Sequence, residues 1–244
     1  MERKPARASL KRLNDLRRNR LKEIRRRLKD FKTLYQDSEE RIFEELCFCI
    51  CTPQSSATTC WDCILDLSRS RILYEGREED IVTRLRGVRF KENKARFILE
   101  ARRLFTTNGA INVKNKLKEM LDERGGQQTG LQHFKARDRQ GEIGHLEIEN
   151  LREVLAARVK GLGMKEASHF LRNIGLGGEL AILDRHVLRN LEEFGVIDEA
   201  PEVLSKKTYL EIERRMRCFS REIGIPMEEL DLLLWAKETG IVFK

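Results

Sequence analysis

The sequence predicts an all-α fold, and three observations carry that expectation. Apolar residues recur three and four positions apart in one segment after another. Strand signals, with period-two alternation, are scarce. Pro53, Gly87, Gly175, Pro201 and Pro226 fall between the periodic segments, where helices are expected to stop. The 244 residues are 36% charged and 40% hydrophobic, which suits a soluble chain with one large or two small domains. No apolar run approaches the ~20 residues of a membrane span, and the charged N-terminal segment does not read as a secretory signal.

The charge is unevenly placed. Residues 1–30 hold 13 Lys/Arg and 4 Asp/Glu, a balance of +9, so the net +8 leaves −1 for the remainder. Such an arm could add phosphate contacts and steepen the salt dependence of binding, or be a solvated helical extension. Leu21, Ile24, Leu28, Phe31 and Tyr35 form a helical stripe, so at least the second half of the arm is expected to be helical.

Asp37 or Ser38 can cap a helix toward Cys51, with Phe43, Leu46, Cys47 and Ile50 inward. A polar loop, 52–56, precedes a helix from about Ala57 to Leu67. A short helix over 79–86 ends at Gly87, and another runs from about Glu92 to Phe105. Residues 122–148, rich in glycine and polar residues, break the periodicity and read as a flexible insertion. Helices are expected again at about Arg185–Phe194, Lys207–Ile223 and Met227–Lys237. Cys47, Cys49 and Cys51 sit in an apolar helix, where buried thiols are ordinary. Cys60-Trp61-Asp62-Cys63 has no second pair to complete a zinc site. No His/Asp/Glu cluster suggests a catalytic divalent metal.

The stretch from Leu151 to Asp184 is the most informative. Leu151, Val154, Leu155 and Val159 form one helical stripe, and Ala167, Phe170, Leu171 and Ile174 form a second. Between them lies Gly161-Leu162-Gly163-Met164-Lys165. Glycines two apart allow a sharp turn and close approach to another surface. The turn feeds a helix N-terminus, whose unpaired amides and positive dipole end favour an anion such as a nucleic-acid phosphate. Gly161 and Gly163 should hold that phosphate, helped by Lys160. Lys165 lies in the first helical turn, where the positive dipole end disfavours a charged ammonium, as a nucleophilic amine requires. Asp184 follows nineteen residues later.

This pattern resembles the helix-hairpin-helix DNA glycosylases with a Gly/Pro-rich loop and a terminal aspartate. It is most similar to the compact, archaeal-type 8-oxoguanine DNA glycosylase/AP lyases, through residues 161–173, Asp184-Arg185-His186, and 230–235 with Thr239-Gly240. The resemblance covers roughly 31–244 apart from the insertion. It implies a two-lobed fold with the active-site cleft between lobes: 38–183 as the central lobe, 31–37 with 184–244 as the other, and 1–30 as a basic extension. It further implies a bifunctional enzyme that excises 8-oxoguanine from double-stranded DNA, or acts on its abasic sites. Lys165 attacks C1′ and forms a Schiff base, β-elimination cuts the strand, and Asp184 supports the developing positive charge. Phe90 and Trp235 would stack on the extruded base, Asp231 would orient the pocket, and Lys244 would distinguish 8-oxoguanine from guanine. Gln54 would fill the space left in the duplex. The implied protein is a cytoplasmic, nucleoid-associated monomer with no cofactor beyond a monovalent cation on hairpin carbonyls. The iron–sulfur cluster of some relatives is excluded, because the C-terminal third offers only Cys218.

Each residue also has a plainer reading. Gln54 could be a solvent-facing turn residue, Phe90 a core residue, and Asp184 an N-cap in addition to its chemical role. Trp235 could be the core tryptophan of an amphipathic helix, and Lys244 a free tail end. His169 reads as a helix-surface residue and His186 as a packing residue. The rival functions are a glycosylase/lyase for another oxidised base and a non-catalytic helix-hairpin-helix DNA-binding module.

Overall fold

A computed structural model describes residues 7–128 and 144–244, with only the backbone given for residues 7, 8 and 124–128. The described chain is almost entirely helical. In order, the helices are α1 (Arg7–Leu34), α2 (Glu39–Cys51), α3 (Ala57–Arg69), α4 (Ile72–Glu75), α5 (Glu78–Arg84) and α6 (Lys91–Leu104). They continue with α7 (Val113–Gln128), α8 (His145–Arg158), α9 (Met164–Asn173), α10 (Arg185–Glu193), α11 (Lys206–Ile223) and α12 (Met227–Thr239). A hairpin of two-residue strands, β1 (Thr106–Thr107) and β2 (Ala110–Ile111), is the only sheet among the described residues. No described helix is long and apolar enough to cross a membrane.

The expected helices form close to their expected bounds, and the caps explain why. The hydroxyls of Ser38, Ser56 and Ser205 and the carboxylate of Asp184 each accept from the amide three residues on, starting α2, α3, α11 and α10. Two elements lack a sequence signal: α4 and the hairpin are too short to show a period. Of the stretch expected to be an insertion, 122–128 continues α7 and 145–148 opens α8, while 129–143 lies outside the described residues. Glycine weakens a helix by about 1 kcal/mol without forbidding one, and Gly125 and Gly126 sit within α7.

The chain divides into two compact units, 34–176 and 1–33 with 177–244. The first is built around α2, which packs against α3, α6, α7 and α9. Every residue of α2 from Ile42 to Cys51 is buried, so it is a central helix with no outer face. In α9 every residue from Glu166 to Asn173 is buried as well. His169 is therefore not on the surface. It is 7% exposed, and its ring meets Phe48 edge-on at 5.4 Å. Between these two helices the buried amide of Asn173 donates to Glu45 Oε2 at 3.0 Å, which ties α9 to α2 across a dry surface.

In the second unit α12 packs against α10 and α11. It too is buried from Leu230 to Leu234, so it is not the amphipathic helix the sequence suggested. In α1 the buried face extends back to Leu13 and includes Ile24, Leu28 and Phe31. Polar ties join α1 to the C-terminal segment: Arg17 to Glu229 at 2.6 Å, Lys32 to Glu228 at 2.8 Å, and Arg20 to the Gly240 carbonyl at 2.7 Å.

Replacing Asn173 with Ala leaves the Glu45 carboxylate short of a donor where water cannot substitute. The expected cost is about 1–3 kcal/mol, read as a lower urea midpoint at unchanged slope.

Candidate active site

The residues singled out by the sequence divide between the units. Gln54, Phe90, Lys160, Gly161, Gly163 and Lys165 belong to the first, and Asp184, Asp231, Trp235 and Lys244 to the second.

In the first unit, α8 and α9 are joined by the turn 159–163, which the Leu162 amide closes by donating to Val159 O at 3.1 Å. Gly161 has φ +88°, in the left-handed region. A Cβ there would also stand 2.8 Å from Phe97 Cδ2 and 3.3 Å from Ile50 Cγ2. The turn is thus pressed against side chains of α6 and α2, and both backbone and space demand glycine. Gly163 is the N-cap, and its amide donates to Glu166 Oε2 at 3.1 Å. Glu166, third residue of α9, satisfies this orphan amide as the acid of a capping box does. Its other oxygen pairs with Lys165 Nζ at 2.9 Å, and the Lys165 side chain is 28% exposed. Lys160 is exposed on the turn. A helix N-terminus, two cations and a shared carboxylate thus meet within seven residues of chain.

Gln54 and Phe90 share an unusual backbone: both are non-glycine residues at φ 56°. Both are exposed, Phe90 by 52%, so Phe90 is not a core residue. The Arg89 guanidinium lies over its ring at 5.4 Å. One buried cation organises the two turns. Lys94 is 4% exposed and donates to Cys51 O at 2.5 Å, Pro53 O at 2.8 Å and Ser55 Oγ at 3.0 Å. The Ser55 hydroxyl oxygen in turn accepts from the Arg89 amide at 3.0 Å. The Gln54 loop and the Phe90 turn are therefore held through a single ammonium and a single hydroxyl. Burial pushes the Lys94 ammonium below its ordinary 10.5; Cys51 and Cys60 oppose this, and Lys165 and Arg89 add to it.

In the second unit, Asp184 caps α10, its Oδ1 accepting from the Val187 amide at 2.8 Å. The extended segment before it is buried, and α11 holds its backbone. Tyr209 OH donates to Ala181 O at 2.6 Å, Leu183 N donates to that hydroxyl at 3.4 Å, and Ala181 N donates to Glu213 Oε2 at 2.8 Å. Asp184 is thus mounted on a clamped strand of chain. Trp235 is half-buried, with its ring 6.5 Å from that of Phe243. Asp231 is 5% exposed, and Lys244 is 9% exposed, not a free tail end. His186 is half-buried beside Asp184 in sequence, and its carbonyl accepts from Asn190.

All six cysteines are free, and only Cys218 is exposed. Burial pushes the thiols of Cys47, Cys51 and Cys63 up and that of Cys60 up to about 11. A metal ligand needs the opposite, a stabilised thiolate.

The sequence reading missed Glu166, Lys94, Tyr209 and Glu213. Glu166 had a signal, since an acid three residues past an N-cap glycine is a capping pattern. Tyr209 and Glu213 lie one turn apart on α11, but nothing local says what they hold. Lys94 had none: its acceptors lie 39 to 43 residues earlier in the chain.

Comparison with known proteins adds an independent line. A family model described as 8-oxoguanine DNA glycosylase matches residues 24–225. An 8-oxoguanine DNA glycosylase/AP lyase of Fusobacterium nucleatum is 40% identical over 222 residues, 91% of either chain. One from Methanocaldococcus jannaschii is 33% identical over 236 residues, 96% of this chain and 99% of its own. Among solved structures, the 8-oxoguanine DNA glycosylase of Thermotoga maritima superposes with TM-score 0.76 at 32% identity, covering 96% of this chain and 98% of that one. The Methanocaldococcus jannaschii glycosylase/lyase, solved with a 15-mer DNA containing 8-oxoguanine, gives 0.76 at 32% identity over 96% and 99%.

Lys94→Met removes three hydrogen bonds in a part-buried pocket, leaving Cys51 O with the Cys60 thiol and Ser55 Oγ with the Arg89 amide, so a loss of about 1–3 kcal/mol is expected in chemical denaturation. The sign of the pH effect follows from the lowered Lys94 value. The unfolded chain keeps that proton to higher pH, so this group adds stability as pH rises toward 10.5. The stability gap between the natural chain and Lys94→Met should widen in that direction. Gly161→Ala should cost more than the ~1 kcal/mol of an ordinary left-handed site, because Phe97 must also move, and thermal melting measures it.

Proposed function

This chain belongs to the 8-oxoguanine DNA glycosylase family, and from that premise we propose how its residues share the work. It excises 8-oxoguanine from DNA and nicks the strand as an AP lyase, with Lys165 as nucleophile and Asp184 as the fixed anion. The observation that carries the assignment is the setting of Lys165. It is the second residue of α9, directly after the Gly161–Gly163 turn, partly open to solvent, with its nitrogen 2.9 Å from a carboxylate.

A base inside a duplex must be extruded before its sugar can be attacked. In this reading Gln54 fills the gap left behind. Phe90 stacks on one face of the extruded purine, its exposure leaving that ring face available, and Trp235 stacks on the other. Lys244 and Asp231 serve the purine edge, where 8-oxoguanine carries an N7–H and guanine an acceptor. The turn amides near Gly161 and Gly163, with Lys160, take the backbone phosphate.

Attack requires the lone pair of Lys165, so the proton on Nζ must leave first, and Glu166 Oε1 is the acceptor in reach. The nitrogen bonds to C1′ as the C1′–N9 bond breaks. The bonding pair departs with the base, which takes up a proton. Asp184 stabilises the positive charge at C1′ while its cap bond keeps it in place. Opening of the sugar ring gives the Schiff base. Loss of a C2′ proton then expels the 3′ phosphate, and water releases the lysine.

The reading includes a monomer acting on DNA in the cytoplasm at the nucleoid. No metal bound by side chains takes part in it. The carbonyls of Val159 and Gly163 are occupied by the amides of Leu162 and Ala167. A monovalent cation would be held by the carbonyls between them and would add positive charge for a phosphate.

Borohydride trapping on an 8-oxoguanine duplex tests the assignment. The natural chain should give a covalent adduct and Lys165→Gln none. Asp184→Asn, which keeps the cap oxygen, should slow single-turnover excision by about 100-fold or more. An adduct that survives Lys165→Gln would remove the lysine from its role.

A further inference from the structure

The cations of α1 fall into two classes by helix face. On the inner side Arg17, Arg20 and Lys32 are engaged with Glu229, the Gly240 carbonyl and Glu228, beside the buried Leu13, Ile24, Leu28 and Phe31. On the outer side stand Lys11, Arg18, Lys22, Arg25, Arg26 and Lys29, all exposed. Their spacings of three, four and seven put them on one stripe, and at 1.5 Å per residue it runs about 27 Å. The one acid on that stripe, Asp15, pairs with Arg18. Arg25 reaches Glu229 only at 3.8 Å. Lys11, Lys22, Arg26 and Lys29 have no acidic partner among the described residues.

We propose that this outer face of α1 is a sequence-independent binding surface for the phosphate backbone of duplex DNA. A solvated face would be expected to carry interleaved acids, and this one leaves four cations unneutralised on a helix held at several points along its length. The rest of the chain carries −1, so residues 1–30 hold the net positive charge of the chain. A single phosphate could engage one or two of these side chains. Only a polyanion as long as the stripe engages them all, and duplex DNA presents a charge every ~1.7 Å of its axis. The family match begins at residue 24, so Lys11, Arg18 and Lys22 lie outside it. The surface goes beyond the lesion chemistry: it would hold undamaged DNA and let the protein stay near a duplex between lesions.

The test is equilibrium binding of the full chain to an undamaged duplex across a salt series. Each lost phosphate contact lowers the slope of log K against log salt by about 0.9, so Lys11, Lys22, Arg26 and Lys29→Gln together should lower it by about 3 to 4. The charge-keeping variant Lys11, Lys22 and Lys29→Arg should retain the slope. Neutralising four exposed cations of α11 (Lys207, Arg214, Arg215 and Arg221→Gln) should change it by less than about 1, with folding of all variants confirmed by thermal melting. A slope unchanged in the α1 variant, or an equal loss in the α11 variant, overturns the proposal. Loss of binding to anionic phospholipid vesicles without loss on the duplex overturns it in favour of a lipid surface. No chemistry enters the measurement, so a chain lacking lyase activity would still give the answer.

Discussion

The first unit depends on a close approach at Gly161. A backbone that turns left-handed there, against Phe97 and Ile50, cannot carry a side chain. The turn fixes where α9 begins, and the start of α9 fixes Gly163, Lys165 and Glu166 in consecutive roles. Glu166 is the joint between stability and chemistry. One of its oxygens satisfies the amide of the N-cap residue, and the other faces the amine. Removing that carboxylate would therefore disturb a helix start and an ion pair together, so its loss could not be read as a purely catalytic effect.

A second constraint operates at the Gln54 loop and the Phe90 turn. Non-glycine residues in the left-handed region cost on the order of 1–2 kcal/mol each, and two of them sit on exposed positions that face a partner in the proposed reaction. Such strain persists only where the surroundings over-determine it. Here the surroundings are Lys94 and Ser55, which bind carbonyls and an amide from both turns. A buried ammonium is an expensive fastener, yet a carbonyl-rich turn at the end of α2 is one of the few places that can satisfy it. The arrangement makes the two turns one mechanical body within this unit.

Much of the helix pattern was legible because helix starts are written in residue types. Ser38, Ser56, Asp184 and Ser205 can each accept a hydrogen bond, and each does so at a helix start. The turn between α8 and α9 was legible for the same kind of reason, since glycines spaced like Gly161 and Gly163 have few other uses. What could not be read was anything set by distant partners. Periodicity assigns a helix an inner and an outer face, but α9 and α12 are covered on all sides, so His169 and the surroundings of Trp235 were misjudged. Lys94 reads as one more surface lysine until the chain returns from residues 51–55 to meet it. The clamp on the segment before Asp184 is likewise a tertiary fact about α11.

The thiol environment bears on how such a protein survives its own working conditions. Guanine is oxidised when oxidants are abundant, and the same oxidants attack cysteine through its thiolate. Five of the six sulfurs are buried, and Cys47, Cys51, Cys60 and Cys63 are held in the protonated form by that burial. Peroxide would meet Cys218 first, the one exposed thiol, on α11. A repair protein built this way can lose its surface sulfur to oxidation and keep its interior intact while the genome is under the same assault.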